Sequence, residues 1–278
     1  MAAMTRDTAD GWFQDVNPGD LDGAREAIEG GSAAGPADWP ALAVGAGFAA
    51  DEDEYYGLLH DATVSAAAEA SRERERADDR QLVHSLRAMD DASRTANELA
   101  ERVAEWAGSL GWPDDAADVA DCEPETPGER RLVSLAERVR ALEEEAATLR
   151  GHVERTAPSV APNLSALAGP VLAARLVSLA GGLEALAKKP SGTLQVLGAE
   201  DALFAHLQGG APSPKHGVIY THEYVRGTDP EQRGSAARAV AGKLTIAARV
   251  DHYSGDRRPD LDRELDERIE RIRAREKA

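Results

Sequence analysis

The chain has almost no cysteine, very little lysine and no long apolar run. Cys122 is the sole cysteine among 278 residues. A lone thiol excludes an internal disulfide framework and any metal site built on several cysteines. A reducing compartment suits it best, so a cytoplasmic protein is expected. The longest small-apolar stretch, residues 41–50, falls far short of the roughly 20 residues that span a bilayer, so no membrane role is expected. The first residues carry no basic region followed by an apolar run, and no secretory signal is expected.

Catalytic signatures are missing too. Neither a nucleophile-elbow G-x-S-x-G nor a P-loop occurs. Gly45-Ala46-Gly47 begins like a glycine loop but lacks the later glycine and a strand–helix–strand context. His222-Glu223 begins like a zinc-protease motif, yet Arg226 stands at the fifth position. His216 and His222 have no third ligand type beside them. Glu143-Glu144-Glu145 follows an apolar seam position and reads as a solvated helix face. A non-catalytic chain with no cofactor or metal of its own is expected.

What is abundant is acid. Asp and Glu number 50 against 32 Lys and Arg, a formal net charge of -18. Residues 1–150 hold 14 basic and 34 acidic side chains, whereas residues 151–278 hold 18 and 16. Such asymmetry separates an acidic part from one able to face nucleic acid. Only Lys188, Lys189, Lys215, Lys243 and Lys277 are lysines. An acidic, lysine-poor composition fits a halophilic source, where salt screens self-repulsion. A GC-rich genome gives a similar composition.

The organisation predicted is mainly α in three parts. Residues 1–77, punctuated by glycine and proline, form a small N-terminal α/β or irregular domain. It includes a helix over 51–70, with Tyr55, Leu58, Leu59 and Val64 as buried positions, and a charged run over 71–80. In residues 78–110 the series Leu82, Met89, Ala96, Val103, Leu110 recurs every seven positions. Leu132, Leu135, Val139, Leu142, Ala146, Leu149 and Val153 alternate steps of three and four, an a/d seam. The prolines in 111–128 interrupt the helix, so 78–157 reads as a long antiparallel coiled-coil hairpin. Exposed seam surface seeks another helix. Self-association as a homodimer through Leu132, Leu135, Val139, Leu142 and Leu149 is therefore expected. Residues 158–278 form a compact helical domain. Within it, 218–221 is read as a short strand or extended segment. A helix follows from Pro230 at its first position, capped by Thr228 or Asp229, to about residue 251. A last helix carries the stripe Leu261, Leu265, Ile269 and Ile272.

On the helix from residue 230, steps of about 100° place Arg238, Gly242, Thr245 and Arg249 on one strip, opposite Ala237, Val240, Leu244, Ala247 and Ala248. Arginine offers a planar fork for phosphates or base edges, and glycine admits a close backbone. Lys243 lies further round, and Arg233 falls toward the apolar side. The segment Lys215-His216-Gly217 adds a cation beside a glycine just upstream, and His222, expected in a loop, can stack on an unpaired base. The alternatives at this point are a solvated face whose arginines pair with local acids, and a coiled-coil adaptor with no RNA role.

Longer motifs carry a resemblance. Gly198-Ala199-Glu200 with Ala202-Leu203-Phe204, then Lys215-His216-Gly217, Ala237-Arg238, Lys243 and Ala248-Arg249-Val250-Asp251 resemble the core of the NOP-domain family. So do Ala161-Pro162-Asn163-Leu164, Ala173-Ala174-Arg175-Leu176, Asn97, Glu101-Arg102 and Glu105-Trp106. The likeness spans residues 78–275 and looks most like the family's archaeal box C/D guide ribonucleoprotein branch. It implies a scaffold for 2'-O-ribose methylation of rRNA or tRNA. Its N-terminal domain would bind the methyltransferase fibrillarin, which carries S-adenosylmethionine. Its coiled coil would self-associate, and its NOP domain would bind box C/D guide RNA with a ribosomal-type kink-turn-binding protein. On this pattern Lys215, His216, His222, Arg233, Arg238, Gly242, Lys243, Thr245 and Arg249 face RNA, and Gly198, Ala199, Glu200 and Asp201 face the kink-turn protein. Asp201 replaces a usual lysine and Ala205 a common arginine, both losses of positive charge.

Overall fold

A computed structural model describes residues 6–7, 11–32 and 35–274. The chain divides into two compact units at Ala77 and Asp78, and each is taken by itself.

The first unit is helical around an aromatic core. Strand β1 (Arg6–Asp7) pairs in parallel with β2 (Gly31–Ser32), two residues each. Helix α1 (Leu21–Gly30) lies between them. Helix α2 (Trp39–Gly45) follows, then α3 (Glu52–Arg76). Asp20, Asp38 and Asp51 each cap a helix by accepting a backbone N–H, which supplies partners for amides the first turn leaves open. Phe13, Phe48 and Tyr55 are buried with Trp12 against them, and the Trp12 indole N–H donates to the Tyr55 hydroxyl at 3.2 Å. Of the positions predicted to be buried on α3, Tyr55 is, whereas Val64 is 54% exposed and Ala62 fills the inward position instead. The charged run continues α3 to Arg76, with Glu69 held below the usual carboxylate range chiefly by its bond to Arg72.

In the second unit α4 (Asp78–Leu110) and α6 (Pro127–Val160) lie antiparallel. Val103 and Ala107 meet Leu132, Ala136 and Val139 at one end, and Leu82, Leu86 and Met89 meet Val153 and Ala157 at the other. Between them α5 (Ala116–Ala120) folds onto the hairpin tip through Val119. Helix α6 starts sharply because Thr126 and Glu129 form a capping box with Pro127 at the first position. The backbone N–H of Glu125, then that of Thr126, holds the Glu129 carboxyl below its ordinary value.

Beyond Ala161 come α7 (Pro162–Ala168), α8 (Pro170–Ala180), α9 (Leu183–Lys188), α10 (Ser191–Val196) and α11 (Glu200–Leu207). A 3-10 turn (Val218–Thr221), α12 (Glu223–Arg226), α13 (Arg233–Tyr253) and α14 (Asp260–Ala274) complete the fold. Two expectations are corrected here. The 218–221 segment is not extended: Tyr220 N–H bonds to Gly217 O and His222 N–H to Ile219 O, closing tight three-residue steps. Helix α13 begins at Arg233 rather than Pro230, because the Asp229 carboxylate accepts the Glu231 N–H and sets a turn first. The stripe Leu261, Leu265, Ile269 and Ile272 on α14 is buried against the body as predicted. Among the described residues no single helix is long and apolar enough to cross a membrane.

Candidate nucleic-acid interface

Helix α13 is the axis of the C-terminal body. Ala236, Ala237, Val240, Ala241, Leu244, Ala247 and Ala248 are all fully buried. Their small side chains let α7, α9, α10, α12 and α14 pack closely around it. That leaves a narrow exposed strip, and the wheel misplaces one member of it. Thr245 is only 4% exposed, and its hydroxyl donates to Ala241 O at 2.8 Å. Ile246, at 42%, stands on the surface instead. Too many neighbours surround α13 for a half-circle to stay wet, so Thr245 offers no hydroxyl to a ligand.

The arginines of the strip remain available. Arg238 is exposed and forms no hydrogen bond or ion pair with any described residue. Arg249 is exposed too. Its Nε donates to Ala187 O at 3.1 Å, which anchors the guanidinium over the end of α9 with no acid attached. Lys243 differs, because its ammonium is paired with Glu264 of α14. Gly242 faces open space, and a side chain there would touch nothing. Gly242, Arg238 and Lys243, with Arg268 and Arg271 across from them, line a cleft of about 680 Å³ between α13 and α14.

A second group gathers at the start of α13. The segment carrying Lys215 and His216 is pinned to α10 and the turn after it. Gln195 Nε2 donates to Lys215 O at 2.7 Å, Gly217 N–H to Gln195 O at 2.9 Å and Val218 N–H to Leu197 O at 2.8 Å. His216 stacks on Tyr220 with ring centroids 4.7 Å apart, and the Arg233 guanidinium lies 5.4 Å from the same ring. Tyr220 has no counterpart among the predicted site residues. Nothing in its sequence context marks it, since the contact depends on the 3-10 turn at 218–221, which is too short to leave a periodic signal.

His222 does not belong to this group. It is 5% exposed and caps α12. Its Nδ1 accepts the Tyr224 N–H at 3.1 Å, so its Nε2–H donates to Leu167 O at 2.8 Å. Burial pushes its basicity down, against smaller upward pulls from the Leu167 carbonyl and Glu223. Both ring nitrogens are committed inside the fold, so the ring cannot stack on a base.

The segment expected to meet a second protein is Gly198 to Asp201. Gly198 has φ +81°, and a side chain there would crowd Leu179 and Val218 at 3.2–3.3 Å. Its N–H donates to Glu200 Oε1 at 2.9 Å, so Glu200 is spent on local structure. Ala199 is half-buried, while Asp201 is exposed. Helix α11 buries none of its residues fully, and Phe204 and Leu207 are 61% and 71% exposed. For the hairpin, Leu132 and Val139 are fully buried against α4 within the chain, so neither is free to meet another copy. Leu135, Leu142 and Leu149 are half-exposed. Among the described residues no cluster of three or more His, Cys, Asp or Glu could hold a metal.

Comparison with known proteins gives a consistent result. Residues 81–274 match a family model described as Nop, a snoRNA-binding domain associated with fibrillarin. A NOP5 family protein of Methanocaldococcus jannaschii is 49% identical over 142 residues, covering 51% of this chain and 34% of that protein. Nucleolar protein 56 of Schizosaccharomyces pombe is 33% identical over 174 residues, covering 63% of this chain and 33% of that protein. The chain thus spans about a third of the length of the curated relatives it matches. A crystal structure of a fibrillarin/Nop5p complex contains a chain with the same fold, at TM-score 0.56 and 23% identity, covering 90% of this chain and 92% of that one.

Proposed function

The chain belongs to the Nop family, and we propose that it is a non-catalytic scaffold of a box C/D guide ribonucleoprotein that directs 2'-O-ribose methylation. It bridges fibrillarin, which carries S-adenosylmethionine, to guide RNA and to a kink-turn-binding protein of ribosomal type, and it pairs with a second copy through its hairpin. The gain in rate is geometric: methyltransferase and target ribose are held within reach instead of meeting by chance.

One observation carries this reading. In a chain with 50 acidic and 32 basic side chains, Arg238 and Arg249 stand exposed on one helix face with no acid paired to either. Where acids are in such excess, an unpaired guanidinium pair on a rigid helix is a surface kept for an external anion. The bare apolar tip of α11, Phe204 and Leu207, supports docking of a second protein beside it. An adaptor without RNA leaves these arginines unexplained.

The test is an electrophoretic shift with a box C/D kink-turn RNA loaded with its kink-turn-binding protein. Arg238→Glu with Arg249→Glu should abolish the supershift given by the parent chain while circular dichroism stays unchanged. A supershift of parental affinity would overturn the assignment.

A further inference from the structure

The group at the start of α13 has no acid either. His216 and Arg233 meet on the Tyr220 ring, Lys215 is the other cation acting on His216, and none of the three forms an ion pair with a described residue. The Lys215 chain passes alongside Gly234, where its Cδ lies 3.9 Å from the position a Cβ would take. The Nε of Arg233 is buried and makes no hydrogen bond. A buried donor without a partner is costly in a folded protein, and packing over Tyr220, not a bond from this atom, holds the guanidinium in place. The Lys215–Gly217 segment cannot relax away, because three hydrogen bonds fix it to α10 and the residues after it.

We infer that Lys215, His216 and Arg233 receive one phosphodiester group of bound RNA, and that His216 takes up a proton as the phosphate arrives. The inference rests on the RNA-binding reading above and adds a regulation to it: binding at this site falls as pH rises.

The electrostatics support it. His216 is held below its ordinary value first by burial, then by the Arg233 guanidinium and Lys215, with a bond to its own backbone opposing them. The charged groups facing it are Lys215 from its own segment and Arg233 from α13. Tyr220 is the titratable group against its ring, and α10, packed on the same segment, contributes only the uncharged Gln195. In the free protein the imidazole is therefore neutral near pH 7. A phosphate between the three side chains cancels the two like charges and favours the protonated ring. Proton uptake on binding makes affinity higher on the acid side, through the window between the free and the bound His216 titrations. Tyr220 is a positioning residue, since its ring stacks on the His216 imidazole and lies beneath the Arg233 guanidinium.

The experiment uses the full chain and a box C/D kink-turn RNA with its kink-turn-binding protein. Affinity is measured from pH 5.5 to 8 at fixed salt for the parent and for His216→Gln, and the His216 ring protons are followed by NMR, assigned by their loss in that variant. The expected result is an affinity that drops several-fold from the acid to the alkaline end in the parent, a flat profile in His216→Gln, and a raised His216 titration midpoint in the complex. Tyr220→Phe keeps the ring and should keep the slope, whereas Tyr220→Ala should flatten it without altering the circular dichroism spectrum. Parental binding with an unmoved His216 midpoint, or the same slope in His216→Gln, would refute the proton-coupled site and leave RNA binding intact. No binding at any pH would remove both.

Discussion

Asp251, near the end of α13, grips Asn163 at the start of α7 from 88 positions away in the sequence. Its Oδ1 accepts the Asn163 side-chain amide at 2.6 Å and the Asn163 backbone N–H at 2.9 Å, and its Oδ2 accepts the Leu164 N–H at 2.8 Å. The second Asn163 amide hydrogen goes to Asp256 O at 2.8 Å, and Asn163 Oδ1 accepts the Arg258 N–H at 2.6 Å. Asn163 is fully buried and Asp251 nearly so. The carboxylate thus serves orphan amides of the first turn of α7 and ties α7, α13 and the link to α14 together.

Replacing Asp251 by Ala leaves two backbone N–H groups and one hydrogen of the Asn163 amide buried without partners. The expected loss is about 2–4 kcal/mol, the range for a buried charge-assisted set. Urea unfolding of the parent and Asp251→Ala measures it at an unchanged slope. Asp251→Asn keeps an acceptor and should fall between them. A midpoint for Asp251→Ala equal to that of the parent would mean that the latch contributes nothing.

Both residues are visible in the sequence as parts of family-like motifs, but their pairing is not. A contact between positions so far apart leaves no periodicity to read. The seam of the hairpin is legible because steps of three and four repeat over many turns, and the α14 stripe for the same reason. The aromatic core of the first unit is not, because Trp12 and Phe13 reach Phe48 and Tyr55 across irregular chain. Thr245 marks a different limit. A helical wheel assigns an angle, yet the width of the buried arc depends on how many neighbours pack there. Tyr220 and the capping role of His222 were hidden together, since both depend on the turn at 218–221.

Gly217 is held to a glycine by close approach. A Cβ there would sit 2.0 Å from Leu197 O, a backbone atom that cannot swing away. Gly217→Ala should therefore push the Lys215–His216 segment off α10 and break the Gly217 N–H bond to Gln195 O. About 1–3 kcal/mol of stability should be lost, as for other overpacked sites, with RNA affinity reduced more than for Gly242→Ala, whose Cβ meets open space. Thermal unfolding and the electrophoretic shift read the two effects. A Gly217→Ala protein with parental stability and affinity would show that this contact does not hold the site.

His222 predicts a pH dependence of stability. Burial lowers its folded pKa, so the unfolded chain binds the proton more readily. Its contribution is whole above the ordinary value of about 6.5 and is lost as pH falls below that value through the folded pKa. His222→Gln can keep one hydrogen bond but cannot titrate. The drop in Tm between pH 7.5 and pH 5.5 should be larger in the parent than in His222→Gln. The difference between the two proteins isolates this group from His216, whose shift has the same sign. Equal drops would assign the acid sensitivity elsewhere.

The hairpin seam divides into an internal half and an external half, and the two are separable by mutation. Val139 is fully buried against α4, so Val139→Asp places a carboxylate in an apolar contact and should cost at least about 3 kcal/mol. Leu142, one seam step further on α6, is half-exposed and belongs to none of the buried clusters. Leu142→Asp should leave the urea midpoint near that of the parent while light scattering reports a monomer in place of a dimer. The contrast matters because a fold defect and an interface defect both reduce assembly, and only the second leaves unfolding untouched. If Leu142→Asp keeps the mass of the parent, self-association does not run through this face of α6.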